Sequence, residues 1–297
     1  MRKVLAAALT LAVAVAGTSA LAQGRGNAGT KLAWFQRHTI FHSGLVGSHT
    51  VALTFDDGPN RHTLEVLAVL KKYDIKATFF IVGRMARANP RVLDEIAAQG
   101  HLLANHSNTH PFMGSSYDAD PQKLIEQVKP VNNEITPLMP RDTQLFFRAP
   151  FGAWRFAHAT ILNADPTLKR YIGPIYWDVG GEIRMDAQGY VMSSADWECW
   201  HKRWPAQVCA KGYLREIRRE NGGVVLMHCI HSQSGALVAD VVPALIEEGY
   251  RFVRLDQVPA YDKYKTPPEK APLVAVADAG DTGNAPEQGW PASVLPY

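Results

Sequence analysis

The 297-residue chain is predicted to fold as one α/β domain on a parallel sheet, either a barrel or an open sheet. Three observations lead there. Short β-branched or aromatic runs alternate with amphipathic helical stretches from about residue 50 to residue 255. A hydrophobic fraction of 46% and a charged fraction of 20% are ordinary for a globular chain, which excludes wholesale disorder, collagen-like repeats and a coiled-coil rod. No segment beyond the first 22 residues has about 18 consecutive apolar residues, so no membrane span is expected after signal cleavage.

The elements follow in chain order. Arg2 and Lys3, an apolar run from Val4 to Ala16 and the small-residue site Ala20-Leu21-Ala22 mark residues 1–22 as a secretory signal, leaving Gln23 as the new N-terminus. An uncleaved N-terminal anchor is the competing reading. Export predicts a secreted or periplasmic protein. Residues 23–48 form a polar lead-in. Strands are predicted at Val51–Phe55, Ala77–Val82, Leu102–Asn105, Leu145–Ala149, Ile172–Trp177, Val224–Met227 and Phe252–Leu255. Thr63–Tyr73 places Leu64, Leu67, Val69 and Leu70 on or near one helical face, and Asn89-Pro90 opens a helix that Gly100 ends. Further helices are predicted at Pro121–Ile135, Ala206–Glu220 and Ala236–Glu248, with Gly249 as a stop. The domain therefore spans residues 49–258. Residues 259–297 hold seven of the 19 prolines and read as a wrapping or disordered extension.

Loss of Arg2 and Lys3 removes two charges from a formal +3, which makes the exported chain a poor electrostatic partner for nucleic acid. Three cysteines, Cys199, Cys209 and Cys229, are too few for a disulfide-built scaffold. In an oxidising compartment Cys199 and Cys209 are the easiest to close, leaving Cys229 over. A zinc knuckle is the competing reading, against which stands the absence of a CxxC spacing.

Four segments carry chemistry, and each sits at a predicted strand end, where parallel α/β folds gather functional groups. Thr54-Phe55-Asp56-Asp57-Gly58-Pro59 offers two adjacent carboxylates pointing in different directions, so that one can bind a metal while the other takes a proton. A capped turn is the plainer alternative. His106-Ser107-Asn108-Thr109-His110 places two imidazoles at i and i+4, on one face of a helical turn. Asp57, His106 and His110 suit Zn²⁺ or another divalent transition metal with a position left for water, and Asp56 beside them suits the base. Arg148-Ala149-Pro150-Phe151-Gly152 supplies a guanidinium to orient Asp56 and a turn N–H for an oxyanion. Leu226-Met227-His228 brings a histidine out of a buried run, suited to protonate a leaving amine. A core histidine at 228, or His231 in its place, is the alternative. The reaction class is hydrolysis of an acyl or amide carbonyl.

The ordered set TFDDGP, HSNTH, RAPFG and LMH resembles the polysaccharide deacetylase superfamily, the NodB-like enzymes of carbohydrate esterase family 4, over residues 50–256. That resemblance implies a distorted (β/α) barrel in a single domain and metal-dependent removal of N-acetyl, sometimes O-acetyl, groups from a carbohydrate substrate. It implies Asp56 as base, Asp57, His106 and His110 as ligands of a metal that is usually zinc, and Arg148 bracing the base. Phe151 would lend its backbone N–H to the oxyanion hole, and His228 would be the general acid.

One departure stands out. The family's further motif, Asp-x-x-Asp-Trp, is broken, because its first aspartate falls on Gly180. An insertion of about residues 181–210 would displace it, so that Asp196 supports His228 and Trp197 walls the acetyl pocket. Asp178 is the substitute. Tyr190, Trp197, Trp200 and Trp204 lie close together in this insertion, as a sugar-contacting loop pinned by a Cys199–Cys209 bridge or as a small satellite core. The favoured activity is N-deacetylation of GlcNAc units in chitooligosaccharide or peptidoglycan. A glycan-binding barrel without turnover, an acetylxylan esterase and a small-molecule amidase are the alternatives.

Overall fold

A computed structural model describes residues 43–264. The signal at 1–22, most of the lead-in and the tail from residue 265 lie outside the described residues. In chain order the elements are β1 (Thr50–Asp56), α1 (Thr63–Lys72), β2 (Thr78–Ile81), α2 (Gly83–Ala88), α3 (Pro90–Ala98), β3 (Leu102–Asn105), α4 (Pro121–Ile135), β4 (Leu145–Phe146) and α5 (Phe156–Ala164). They continue as β5 (Tyr171–Ile172), β6 (Arg184–Met185), β7 (Val191–Ser193), α6 (Asp196–His201), α7 (Ala206–Glu220), β8 (Gly222–His228), α8 (Ser234–Glu247) and β9 (Arg251–Phe252).

The main sheet is parallel, in the order β3-β2-β1-β8, with β9 also paired to β1. The alternation along β1 and β8 builds two cores. Val51, Leu53 and Phe55 pack with Val225 and Met227 and with α1, α7 and α8 side chains such as Leu67, Ile217 and Val241. On the other face, Ala52 and Val224 pack with Phe80, Phe146 and Ile175. Burial of this kind is strong enough that truncating Phe55 to alanine would cost about 3–5 kcal/mol. Because the period is two, Thr54, Asp56 and His228 share the second face, and the β1–β8 register sets Asp56 opposite His228.

Several boundaries differ from expectation. β4 and β5 are two-residue strands, and beyond them the chain is held by single parallel bridges, Asn105 to Phe147 and Val179 to Val225. Pro150 and Pro174 supply no N–H for a longer ladder. The ladders therefore do not run continuously round a barrel, and the architecture is an α/β fold with a parallel sheet. On α1 the buried face is Thr63, Val66, Leu67 and Leu70, while Leu64 is exposed. The predicted extension starts late, since Pro259–Tyr264 forms a turn that buries Tyr261 against Phe146. Leu45 of the lead-in is likewise buried in the core. α2, α5, α6 and the antiparallel β6–β7 hairpin answer to no sequence expectation. Among the described residues, no helix is long and apolar enough to cross a membrane.

Candidate active site

β1 ends in two carboxylates that the backbone separates. Asp56, still in the ladder, is buried on the inner face, whereas Asp57 takes a left-handed φ of +71 and turns its side chain away. Arg148 is also buried and reaches Asp56 with Nη1 donating to Oδ1 at 2.7 Å. The same nitrogen reaches Thr54 Oγ1 at 2.9 Å, Nε donates to the Ile175 carbonyl at 3.0 Å, and Nη2 to the Tyr176 carbonyl at 3.2 Å. Its guanidinium lies 4.1 Å from the Phe80 ring centre. A buried ion pair needs this degree of satisfaction to persist. Only Asp56 Oδ2 is left facing the cluster, 3.4 Å from His106 Nε2.

HSNTH is not a helical turn. Ser107 and His110 have φ of +68 and +60, and side chains hold the loop open. The Ser107 N–H donates to Asn105 Oδ1 at 3.0 Å, and the His110 N–H to Ser107 Oγ at 3.0 Å. The Arg148 carbonyl accepts from His106 Nδ1 at 2.8 Å, which leaves the Nε2 lone pair pointing inward, 3.5 Å from Asp57 Oδ1. His110 Nε2 lies 3.1 Å from the same oxygen. The ligand atoms of Asp57, His106 and His110 all lie within 4.8 Å of one another. Asp57 Oδ1 is buried and accepts no hydrogen bond, as an oxygen kept for a cation would be. Burial by itself would raise the Asp57 pKa, but contacts with His106 and His110 outweigh it and hold the carboxyl well below the usual range. The donor set therefore fits a divalent transition metal.

On the other side, His228 closes β8. Its Nδ1 is 2.7 Å from Asp196 Oδ1, and its backbone N–H donates to Asp196 Oδ2 at 2.6 Å. Nε2 points at the cluster, 4.0 Å from Asp57 Oδ2. Desolvation lowers the His228 pKa, yet the charge and hydrogen bond of fully buried Asp196 prevail and push it up to about 9. The imidazole is thus held as a cation with one proton aimed at the site. His231 has no such setting, as it stacks on Trp200 with ring centres 4.4 Å apart and takes the Gln233 N–H on Nδ1. Asp178 is occupied elsewhere, since its Oδ2 accepts from Ser43 Oγ at 2.5 Å and from the Val224 N–H at 2.7 Å.

The remaining predicted residues are placed as follows. Phe151 has a φ of +57, and its exposed ring lies 4.7 Å from His110 at the rim. Cys199 and Cys209 are bonded, and Cys229 is free and buried. The Trp197 ring is 48% exposed, and the indole set against His228 is that of Trp200, 5.8 Å away. The insertion's aromatic residues divide, Tyr190 being exposed and Trp204 packed against the main core. Sequence reasoning missed Thr54 and Tyr213, and it named Trp200 as a sugar-contacting or satellite-core residue and not as a neighbour of His228. Tyr213 accepts the Asp196 N–H and donates to the Leu226 carbonyl, each at 3.0 Å.

Comparisons with known proteins agree with this geometry. Residues 44–165 match the family model described as polysaccharide deacetylase. The chain is 40% identical over 234 residues to a chitooligosaccharide deacetylase of Sinorhizobium fredii, covering 74% of this chain and 95% of that one. Among solved structures, a mutant of BA3943, a CE4 family pseudoenzyme with restored enzymatic activity, aligns with a TM-score of 0.54 and 27% identity, over 71% and 67% of the two chains. PdaA of Bacillus subtilis, a family 4 carbohydrate esterase, shares the fold with a TM-score of 0.57 and 22% identity, over 76% and 86%. An Asp/His/His cluster able to hold a metal, beside a braced carboxylate and a charged imidazole, is the equipment of a hydrolase of carbon–nitrogen bonds. By motif order, site geometry and 40% identity to a relative matched over 95% of its length, the chain belongs to the polysaccharide deacetylase family.

Proposed function

We propose that the protein is an exported, metal-dependent deacetylase that removes N-acetyl groups from GlcNAc-containing glycans, chitooligosaccharide or peptidoglycan. The observation that carries this reading is the convergence of three built groups on one spot, the Arg148–Asp56 pair, the Asp57/His106/His110 cluster and the Asp196–His228 pair. The 40% identity to a chitooligosaccharide deacetylase supports the substrate class. Residues 171–179 reach from β4, through the Ile175 N–H on Phe147, to β8, through the Asp178 N–H on Val224, so we read the sheet as a distorted barrel.

Asp57, His106 and His110 would hold Zn²⁺ or another divalent transition ion, which when bound supplies a Lewis acid and a water activated near neutral pH. Asp56 takes a proton through Oδ2, since Oδ1 is tied to Arg148. Arg148 orients that carboxylate and supplies its counter-charge. The Phe151 N–H serves the carbonyl oxygen as charge builds on it. His228 delivers its Nε2 proton to the amine as the C–N bond breaks, and Asp196 stabilises the imidazolium beforehand.

A panel of chitin oligomers, peptidoglycan and acetylxylan scored for released acetate tests the proposal. It predicts acetate and free amine from the first or second substrate. Acetate from acetylxylan alone would redirect the reading to ester hydrolysis, and glycan binding without acetate would make this a family member without turnover.

A further inference from the structure

α7 turns one buried face toward the acid side of the site. Cys209, Tyr213 and Glu216 stand four and three residues apart, and all three are buried. Each holds a different piece of chain. Cys209 is bonded to Cys199 of α6. The Tyr213 hydroxyl takes the N–H of Asp196 and gives its proton to the Leu226 carbonyl, two residues before His228. Glu216 Oε2 accepts the N–H of Gly180 at 3.1 Å. Between them, a Cβ at Gly212 would sit 1.9 Å from Ser194 Oγ, so the segment leading into Asp196 lies directly on the α7 backbone.

The same contacts account for the broken motif. Gly180 has a φ of +94, and a Cβ there would lie 2.3 Å from the Leu226 carbonyl oxygen and 2.9 Å from the Tyr213 ring. No side chain fits at position 180 while Tyr213 stands where it does. The carboxylate for His228 arrives instead from α6, a six-residue helix whose buried residues are Asp196 and Cys199. A helix this short has little stability of its own. The Asp196 backbone and Cys199 are both tied to α7, while the Asp196 carboxylate reaches β8 through His228.

We propose that Tyr213 and the Cys199–Cys209 bridge are positioning residues for proton donation, holding a displaced Asp196 against His228 so that the imidazole can serve the leaving group. This rests on the assignment of His228 and Asp196 to leaving-group protonation. Loss of the Tyr213 hydroxyl removes the tie from the Asp196 backbone to β8 and leaves only the carboxylate's own bonds to His228, so the distance from Asp196 to the ring is held less firmly.

The test uses the dependence on leaving group in the full-length, metal-loaded protein. An amine leaves a glycan amide only with a proton delivered to nitrogen, whereas 4-nitrophenolate leaves its acetate ester without one. Tyr213→Phe is expected to lower kcat for acetate release from chitooligosaccharide by about tenfold or more, with KM within about twofold, and to lower 4-nitrophenyl acetate turnover by less than about threefold. In an Asp196→Asn background, Tyr213→Phe should add less than about threefold. Replacing both Cys199 and Cys209 by alanine should give the same selective loss, which keeps the test decisive if Tyr213→Phe does not fold. Equal losses on the two substrates, or a full multiplicative loss on top of Asp196→Asn, would overturn the positioning role. If Asp196→Asn itself leaves amide turnover within about twofold, the underlying assignment of the acid pair fails instead.

Discussion

Replacing Arg148 by methionine should be among the most destabilising single changes in the protein. The guanidinium is 1% exposed and donates to Asp56, Thr54 and the carbonyls of Ile175 and Tyr176. Methionine keeps much of the packing volume but leaves Asp56 as a buried charge without the guanidinium that sits 2.7 Å from its Oδ1. Removing one partner of a buried pair costs about 3–5 kcal/mol, and stranded carbonyl acceptors add about 1 kcal/mol. Against a total stability of about 5–15 kcal/mol that is a large share. Urea unfolding followed by tryptophan fluorescence, in EDTA so that metal binding adds nothing, should show a midpoint lowered by about 1–2 M. Adding Asp56→Asn to Arg148→Met should recover roughly half of the loss, because the orphaned charge is then gone. An Arg148→Met protein within about 1 kcal/mol of the parent, or strict additivity of the two changes, would refute the view of Arg148 as the counter-charge of the base.

Other outcomes are as definite. His101 is buried, its Nδ1 accepts the Ala77 N–H, and its pKa is lowered to about 4 by burial and then by Lys76 and Arg254. Its folded pKa lies below the unfolded value, so the unfolded chain binds the proton more readily and stability falls as pH drops from about 6.5 toward 4, by roughly 3 kcal/mol in all. His101→Gln should flatten that slope relative to the parent, and a parallel pH profile would contradict it. Asp120 caps α4 by accepting the Lys123 N–H at 3.1 Å, so Asp120→Ala should cost about 1 kcal/mol in chemical denaturation; no change would show that the cap is idle. Zn²⁺ added to the stripped protein should raise Tm, and Asp57→Asn or His110→Ala should abolish the rise, whereas an equal rise in the variants would place the ion elsewhere.

Much of this was legible in the residues. Alternation along Val51–Phe55 already places Asp56 opposite to Phe55, and the buried run before His228 marks a central strand, so both ends of the site follow from period two. The loop HSNTH was legible as a ligand pair but not in its conformation, because the hydrogen bonds of Asn105 and Ser107 override the helical spacing. Asp196 was reachable through its Asp-Trp dipeptide. Tyr213 was not, since a tyrosine four residues after a cysteine on an amphipathic helix looks like any core position until Asp196 is seen above its hydroxyl. The β6–β7 hairpin escaped because two- and three-residue strands are too short to carry a readable alternation.

Metal dependence of turnover is best read from one titration with two readouts. The full-length protein is stripped with EDTA, and Zn²⁺ is added stepwise while bound metal and acetate released from chitooligosaccharide are measured together. The stripped protein should show no turnover, and acetate release should rise with bound metal and saturate at about one equivalent, with His110→Ala binding at least tenfold more weakly. Turnover that survives stripping, or tight one-to-one binding in the His110→Ala protein, would contradict that expectation.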